Sequence, residues 1–365
     1  MIDFATADAI RNLPVAILYQ AQMPPVIDGI VKPMKPGGYS DSGADIAFAL
    51  QRTGVFVVTP VDQPEAGHPL DWVFADTQQG IDQATRLGAQ VLWLNTILFR
   101  THPIERFIDQ GGWVVGQRPA NVERYDDKWY TNARLRELGL PIPKARIVDA
   151  TNQASLLDEI GTAFSFPIIA KPIRGRGSAG VVLVESEYQL NNTLADMLAS
   201  LAYGDAIMIE EYLPGQELTL TVMPAGAYQI GGEKRTYNAP WSLPPVRRFN
   251  HQGGVAPYNG LVAVMANSEV VSEAELATPS VRLLMQQCEQ AAQAVDALAP
   301  IRIDCRQNKA GHYYLFDLNM KPNMTGAGRP DRTDQDSLTA LAARRIKWSY
   351  SDLLTNMLSH AWRQA

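Results

Sequence analysis

Lys171-Pro-Ile-Arg-Gly-Arg-Gly-Ser-Ala-Gly180 runs directly into Val181-Val-Leu-Val-Glu185, and the reading of this stretch decides the fold. Gly175-x-Gly177-x-x-Gly180 has the spacing of a dinucleotide fingerprint, which requires a strand before it and a helix after it. The residues that follow are β-branched and strand-like instead. The loop therefore joins two antiparallel strands, and a Rossmann dinucleotide site fails on context. What remains is a flap of exposed backbone N–H groups with Lys171, Arg174, Arg176 and Ser178 around it. Glycine lets backbone approach anionic oxygens closely, so such a flap can fold over phosphates. The plainer alternative is a solvated hairpin turn. No G-x-x-x-x-G-K-[ST] occurs anywhere, which excludes a P-loop.

Upstream of this hairpin, short apolar runs alternate with helical spacing. Val15–Tyr19, Val55–Pro60, Val91–Asn95 and Trp113–Gly116 read as strands, with helical patterns over Ala44–Arg52, Gln78–Leu87 and Pro103–Gln110. That alternation predicts a parallel sheet covered on both faces, with a ligand crevice at the carboxyl ends of its strands. Residues 21–43 form a Pro/Gly-rich loop, and loops of that length in compact domains are usually functional or disordered. Tyr125–Leu138 reads as one helix closed by Gly139 and Pro141-Ile-Pro143. Strands are expected at Pro167–Lys171, Val181–Glu185 and Ala206–Glu210, then at Glu217–Met223, Pro300–Arg306 and Tyr313–Leu318. A long helix is expected near Arg282–Leu298. Asp336 or Ser337, and then Ser351, suit the N-caps of two closing helices.

Arg302-Ile-Asp-Cys-Arg306 and Leu315-Phe-Asp-Leu-Asn319 flank the tight connection Asn308-Lys-Ala-Gly-His312. A symmetric hairpin centred between Ala310 and Gly311 sets Asp304 opposite Asp317 and Arg302 opposite Asn319. Paired residues have Cβ atoms about 5 Å apart, and two carboxylates so placed repel unless a proton or cation lies between them. Asn319 adds an amide oxygen on the same face. Two carboxylates and an amide are hard ligands suited to Mg²⁺ that also holds phosphates. Otherwise the acids lie on a solvated face, offset by Arg302 and Arg306, while Ile303, Cys305, Phe316 and Leu318 cover the core.

The 365 residues suggest two to three domains, and 46% hydrophobic with 19% charged residues is ordinary for packed cores. Lys plus Arg is 32 and Asp plus Glu is 38, a formal charge of −6, which argues against a nucleic-acid partner. Cys288 and Cys305 are too few for a disulfide framework or structural zinc site. No segment approaches a membrane span or a leader, so a reduced, cytoplasmic, globular protein is expected. His68, His102, His251, His312 and His360 show no ligand or triad spacing and read as packed or surface residues.

Taken in order along most of the chain, these motifs resemble the ATP-grasp ligases, and among them D-alanine–D-alanine ligase. The resemblance implies an α/β fold, α+β in part. Residues 1–117 would form an N-terminal Rossmann-like domain, 118–212 a central subdomain carrying the glycine loop, and 213–365 a C-terminal subdomain carrying the metal and substrate site. ATP would lie between the last two. Lys128, in Tyr125-Asp-Asp-Lys-Trp129, and Lys171 resemble the two phosphate lysines, with Gly175, Gly177, Ser178 and Gly180 as the mobile loop. In Ile209-Glu-Glu-Tyr-Leu-Pro-Gly-Gln-Glu217, Glu210 and the backbone of Glu211, Tyr212 and Leu213 would hold adenine, and Glu217 the ribose. Asp304, Asp317 and Asn319 would bind two Mg²⁺ ions, with Mn²⁺ as an alternative. Arg302, helped by Asn323, would stabilise the oxyanion, Lys171 and Ser178 would act at the transferring phosphate, and Arg302, Asn323 and Ser337 would hold substrate.

The resemblance further implies ligation of an amino-acid amine to a phosphate-activated acceptor, small-molecule partners only, and by analogy a homodimer. Several features depart from the family. Asp317 is shorter than the usual Glu, Lys321 and Asn323 replace small residues, and roughly ten residues, Ala327–Asp336, are added before Ser337. Gly37-Gly-Tyr-Ser-Asp-Ser-Gly-Ala44 only partly resembles the turn that receives the first D-alanine, and the acid for the substrate amine has no counterpart. Trp241–Gly260 is unlike the usual lid. The ATP half is intact and the amino-acid half rebuilt, which favours a ligase of specialised metabolism. The ligase-like enzymes that attach an amino acid to a mycosporine core look closest, ahead of a D-alanine–D-alanine or other dipeptide ligase. A non-catalytic nucleotide sensor is the rival of another class, and the full metal trio argues against it.

Overall fold

The structure is a computed structural model that describes residues 2–30, 32, 34–153, 159–160, 162–175, 177–200, 202–251, 254, 264–330, 332 and 335–364. Its first sheet is parallel, in the order β2-β1-β3-β4, built from β1 (Val15–Tyr19), β2 (Val73–Ala75), β3 (Val91–Asn95) and β4 (Trp113–Val115). Helices Ser40–Arg52, Gln78–Arg86 and Ile104–Asp109 fall where the apolar spacing places them. The expected strand Val55–Pro60 is instead an extended crossing segment with a single bridge, Val57 to Val15. The strand beside β1 is β2, too short at three residues to announce itself by alternation. A helix at Phe4–Arg11, capped by Asp3, was not anticipated.

The second sheet is antiparallel, β5-β8-β6-β7, with β5 (Ala145–Asp149), β6 (Ile168–Pro172), β7 (Val182–Val184) and β8 (Ala206–Glu211). Strands β6 and β7 pair antiparallel, Ile168 with Val184 through Ala170 with Val182, so the glycine loop is a hairpin connection. A helix at Glu187–Ala199 packs on this sheet. The single helix expected over Tyr125–Leu138 is two, Pro119–Tyr125 and Lys128–Glu137. Asp127 interrupts it because its side chain accepts from Tyr130 N at 2.8 Å as an N-cap. The break places Lys128 at the first helical position.

The third sheet holds β9 (Glu217–Met223), β13 (Val246–Arg248), β14 (Ser268–Val270), β15 (Ile301–Gln307) and β16 (Tyr313–Asn319) in the order β14-β13-β9-β15-β16, with β12 (Trp241–Ser242) also on β9. A separate hairpin joins β10 (Gly226–Ile230) and β11 (Glu233–Tyr237). The long helix runs Pro279–Ala294, started earlier than expected by Thr278 as cap and Pro279 behind it. The closing helices begin after Ser337, as expected, and after Ser349 rather than Ser351. Ser349 and Asp352 form a capping box that outcompetes the later serine.

Two of the three buried apolar clusters run continuously between the parallel sheet and the six-stranded sheet, while the third is confined to the central sheet and its helices. The groove between the central sheet and β15–β16 therefore has a stiff floor and a separately packed roof.

Candidate active site

The β15–β16 hairpin pairs Arg302 with Asn319, Ile303 with Leu318 and Asp304 with Asp317, as the symmetric register requires. Nearer the turn the register shifts by one, Cys305 facing Leu315 and Gln307 facing Tyr313, so Phe316 is a bulged residue. The turn is centred on Ala310 and held by Asn308, whose side chain accepts from Ala310 N and His312 N at 3.0 Å each. The bulge restores the alignment at the carboxylates. It also turns Phe316 out of the core: Leu315 is buried there, and Phe316 lines the cleft. Bulges beside active sites commonly re-aim a group, and here the Phe316 carbonyl accepts from Lys171 Nζ at 3.3 Å.

That cleft, of about 850 Å³, gathers Lys128, Lys171, Gly175, Gly177 and Ser178 on its roof side. Glu210, Glu211, Tyr212, Leu213 and Glu217 line one end, and Arg302, Asp304 and Asp317 the floor. Gly180 is not in the lining. A Cβ there would come within 2.5 Å of the Tyr203 ring and 2.9 Å of Pro172, so this glycine serves close packing at the hairpin base. Gly177 and Ser178 both have φ of 60°, the left-handed turn that Ser178 carries at a steric cost. Arg176 lies outside the described residues. Arg174 points away from the cleft, pairing with Asp28 at 2.7 Å and with Asp126 and Asp127. It belongs to the interface with the 21–39 loop.

Charges in the cleft are arranged in pairs. Lys171 and Glu210, 4% and 3% exposed, meet at 2.6 Å. Burial pushes the Glu210 carboxyl above its ordinary value, and Lys171 only partly opposes this. Lys128 meets Asp317 at 2.6 Å. Burial is the largest single influence and works against charge on both, but the opposite charges around each together outweigh it: Asp317, Asp126 and Glu210 raise Lys128, and Lys128, Lys171 and Arg302 lower Asp317. Asp304 accepts from Thr219 Oγ1 at 2.7 Å and Arg302 at 3.0 Å. Burial raises its carboxyl, Arg302 opposes, and the nearby Asp317 and Glu217 add to the rise. Among the described residues no group of three or more His, Cys, Asp and Glu side chains gathers for a metal. The facing pair Asp304 and Asp317 needs the Asn319 amide as its third donor, and that oxygen accepts from Lys321 N at 2.9 Å. As a set, two facing carboxylates and an amide oxygen fit a hard divalent cation.

The cleft opens past Lys128, Gly175, Gly177, Arg302 and Asp317 into a second chamber of about 1340 Å³, which contains Asn319, Asn323 and Ser337. Ser337 Oγ caps the helix behind it, accepting from Ala340 N at 3.2 Å. Asn323 Oδ1 accepts from Thr325 N and Oγ1. The 21–43 loop ends at Tyr39, where the helix begins, and supplies Lys35 and Tyr39 to the chamber. Arg248 lines it from the Trp241–Gly260 segment, much of which (252–253 and 255–260) lies outside the described residues.

Arg306 was passed over as a functional residue, although it alternates with Arg302 and Asp304 along one strand face. It lies 5.2 Å over the Tyr212 ring and donates to Gly254 O at 2.6 Å, closing the end of the cleft that Glu211 to Leu213 and Glu217 line. His251 sits 2.9 Å from Glu217 there, while His102 and His360 are buried and His68 and His312 stand exposed.

The family model described as D-ala D-ala ligase C-terminus matches residues 135–359. A D-alanine–D-alanine ligase of Marinomonas sp. (strain MWYL1) is 24% identical over 237 residues, 65% of this chain and 65% of that protein. One from Gloeobacter violaceus is 23% identical over 190 residues, 51% of this chain and 56% of its own length. The chain thus spans less than two thirds of these relatives. Among solved structures, the VanG D-Ala:D-Ser ligase of Enterococcus faecalis superposes with a TM-score of 0.65 at 12% identity, covering 95% of this chain and 98% of that one. The D-alanine–D-alanine ligase of Bacillus anthracis complexed with ATP gives 0.62 at 16% identity, covering 95% and 97%. These likenesses show a shared fold.

Proposed function

This chain belongs to the D-Ala–D-Ala ligase family through its C-terminal region, and from that premise we propose that it is an ATP-dependent, ADP-forming carbon–nitrogen ligase of the ATP-grasp type. The observation that carries the reading is the shared wall: Lys128, which would bind the phosphates, Asp317, which would hold their cation, and Arg302, which would face the oxyanion, line both the cleft and the second chamber. A reacting oxygen held there would lie between phosphate donor and amine.

In the reaction, an acceptor oxygen attacks the γ-phosphorus, the bond to the β-phosphate oxygen breaks, and ADP leaves. The amine nitrogen of an amino acid then attacks the activated carbon, phosphate departs, and the nitrogen loses its proton to water or phosphate. Lys128, Lys171 and the N–H groups of Gly177 and Ser178 would bind the phosphates, with the glycine hairpin excluding water. Arg302 would stabilise the oxyanion, helped by the Asn323 backbone. Glu210, the backbone of Glu211 to Leu213, and Glu217 would hold adenosine. Mg²⁺, or Mn²⁺ in its place, held by Asp304, Asp317 and Asn319 would neutralise charge on the phosphates as they transfer.

The named relatives are D-alanine–D-alanine and D-Ala:D-Ser ligases, which supports amino-acid ligation of the dipeptide type above attachment to a mycosporine core. The latter rests on resemblance of sequence alone. Partners would be small molecules, with a homodimer by analogy. No helix among the described residues is long and apolar enough to cross a membrane. Phosphate release with ATP, Mg²⁺ and D-alanine, alongside fluorescence titration with ATP and NAD, tests the proposal. ATP must bind in preference to NAD, and ADP must form only when an acceptor is present.

A further inference from the structure

Lys128 stands in the field of two carboxylates on opposite sides of it. It pairs with Asp317 at 2.6 Å on the floor of the cleft, and Asp126, two residues before it in the chain, lines the second chamber with it. Burial opposes the Lys128 charge, whereas Asp317 and then Asp126 favour it. Asp126 is engaged from its other side: Lys32 pairs with it, and Arg174 Nη1 approaches to 3.6 Å.

Arg174 is placed to hold this corner together. It is 8% exposed, and its nitrogens diverge: Nε meets Asp28 at 2.7 Å, Nη1 donates to the Glu123 carbonyl at 2.7 Å, and Nη2 lies 3.5 Å from Asp127. A planar guanidinium presents donors in several fixed directions, so one side chain serves three acids. Asp127 is the cap that sets Lys128 at the start of its helix, and Lys128 N donates to the Ile173 carbonyl at 3.0 Å, next to Arg174 in the chain. Asp28 is fixed in its turn. With Gly29 it forms a two-residue left-handed turn, φ 51° and 71°, closed by Ile30 N donating to the Ile27 carbonyl at 2.9 Å. The Asp28 carbonyl lies 2.7 Å from where a Cβ on Gly204 would stand, so the tip of the 21–39 loop rests on the turn before β8.

We propose that Arg174 is a positioning residue for the phosphate grip: with Lys32 it occupies Asp126, and so leaves Lys128 to Asp317 and to the phosphates of a bound nucleotide. This deepens the ligase reading and rests on it. Arg174 touches no substrate in this scheme and acts through Lys128. Without it, the charge of Asp126 is less compensated and draws the Lys128 ammonium back from the cleft.

A double-mutant cycle tests the assignment, with the full chain, Mg²⁺ and a fluorescent ATP analogue displaced by ATP or by adenosine. Arg174→Met should raise the Kd for ATP roughly fivefold and leave that for adenosine within about twofold. Asp126→Asn alone should change the Kd for ATP by no more than about twofold, yet in the Arg174→Met background it should restore most of the lost affinity. That recovery is the readout a merely structural role would not give, because removing a second partner from a packed corner should weaken it further. An unchanged Kd for ATP in Arg174→Met overturns the assignment. So does an additive cycle, in which Asp126→Asn helps equally in both backgrounds through its charge alone, and so does a double variant no better than Arg174→Met. If Arg174→Met does not fold, Lys32→Met takes its place in the cycle, with the same expected recovery and the same refuting results. A wild-type protein that binds no ATP strikes the ligase reading and takes this assignment with it, whereas the variant outcomes strike the assignment alone.

Discussion

Glu210→Gln offers a direct measure of how the cleft is built. The Lys171–Glu210 pair is nearly inaccessible to water, with the two charges 2.6 Å apart. Removing one partner of such a pair typically costs about 3–5 kcal/mol, because the other charge stays buried. Two features reduce this. Burial already disfavours the Glu210 carboxylate, so a neutral amide recovers part of that penalty, and the Phe316 carbonyl still accepts from Lys171. We expect a net loss of about 2–3 kcal/mol without nucleotide. At roughly 2.1 cal/mol/K per residue, 365 residues unfold with about 0.77 kcal/mol/K, so Tm should fall by about 3–4 °C. Differential scanning fluorimetry without nucleotide reads the effect. A Tm unchanged within about 1 °C would refute the view that Lys171 is held by Glu210.

Four further outcomes are expected. Asp317→Ala should lower ligation by at least about 10³-fold while leaving adenine binding within a few-fold, measured by ADP formation and fluorescent-nucleotide titration; undiminished turnover would remove the metal assignment. His360, buried against Tyr228 with its Nδ1 donating to the Asn356 carbonyl at 2.7 Å, is pushed by burial from 6.5 down to about 4. Its contribution is complete above pH 6.5 and lost as pH falls toward 4, by about 3 kcal/mol in total, and His360→Leu should flatten that slope in urea titrations run across the range. Gly38→Ala places a Cβ 1.8 Å from the Gln20 carbonyl at a φ of 53° and should destabilise by about 2 kcal/mol or more, with raised acceptor KM. Arg329→Met should cost only about 1–2 kcal/mol, because Arg332 still pairs with Asp45, yet it should raise acceptor KM several-fold with ATP binding unchanged.

The geometry of the cleft proposed for ATP was legible because each part is local. The glycine hairpin, the Glu210–Leu213 strand end and the Asp304–Asp317 pair each arise within one hairpin or strand, where alternation and turn residues fix the geometry. Even there a compensation was invisible: the turn is centred one half-step from where symmetry put it, and the Phe316 bulge returns the carboxylates to register. Periodicity reports which residues alternate, but it does not report an inserted residue. The missed β2 and the split at Asp126–Asp127 have the same origin, since three residues are too few to show a period and a capping aspartate inside a helical pattern looks like any solvent-facing acid.

The second chamber was hidden for a different reason: its walls come from segments far apart in the chain and joined by tertiary ion pairs. Ahead of Ser337 two arginines meet helix Ser40–Arg52, where Arg329 Nε donates to the fully buried Asp45 at 2.8 Å and Arg332 Nε at 3.0 Å. Arg329 also reaches the Ala66 carbonyl at 3.0 Å. That helix starts immediately after Tyr39, and the stretch bearing the two arginines leads to Ser337, so one buried charge cluster links two walls of the chamber. Burial raises the Asp45 carboxyl and both arginines oppose the rise, which is what two converging segments around one acid produce. Through this anchor Arg329 and Arg332 tie their segment to a wall of the second chamber, away from the nucleotide-side cleft that the lysines and the glycine hairpin line. The ion pairs on Asp45 join this segment to the parallel sheet's own helix, while the glycine hairpin belongs to the separately packed roof.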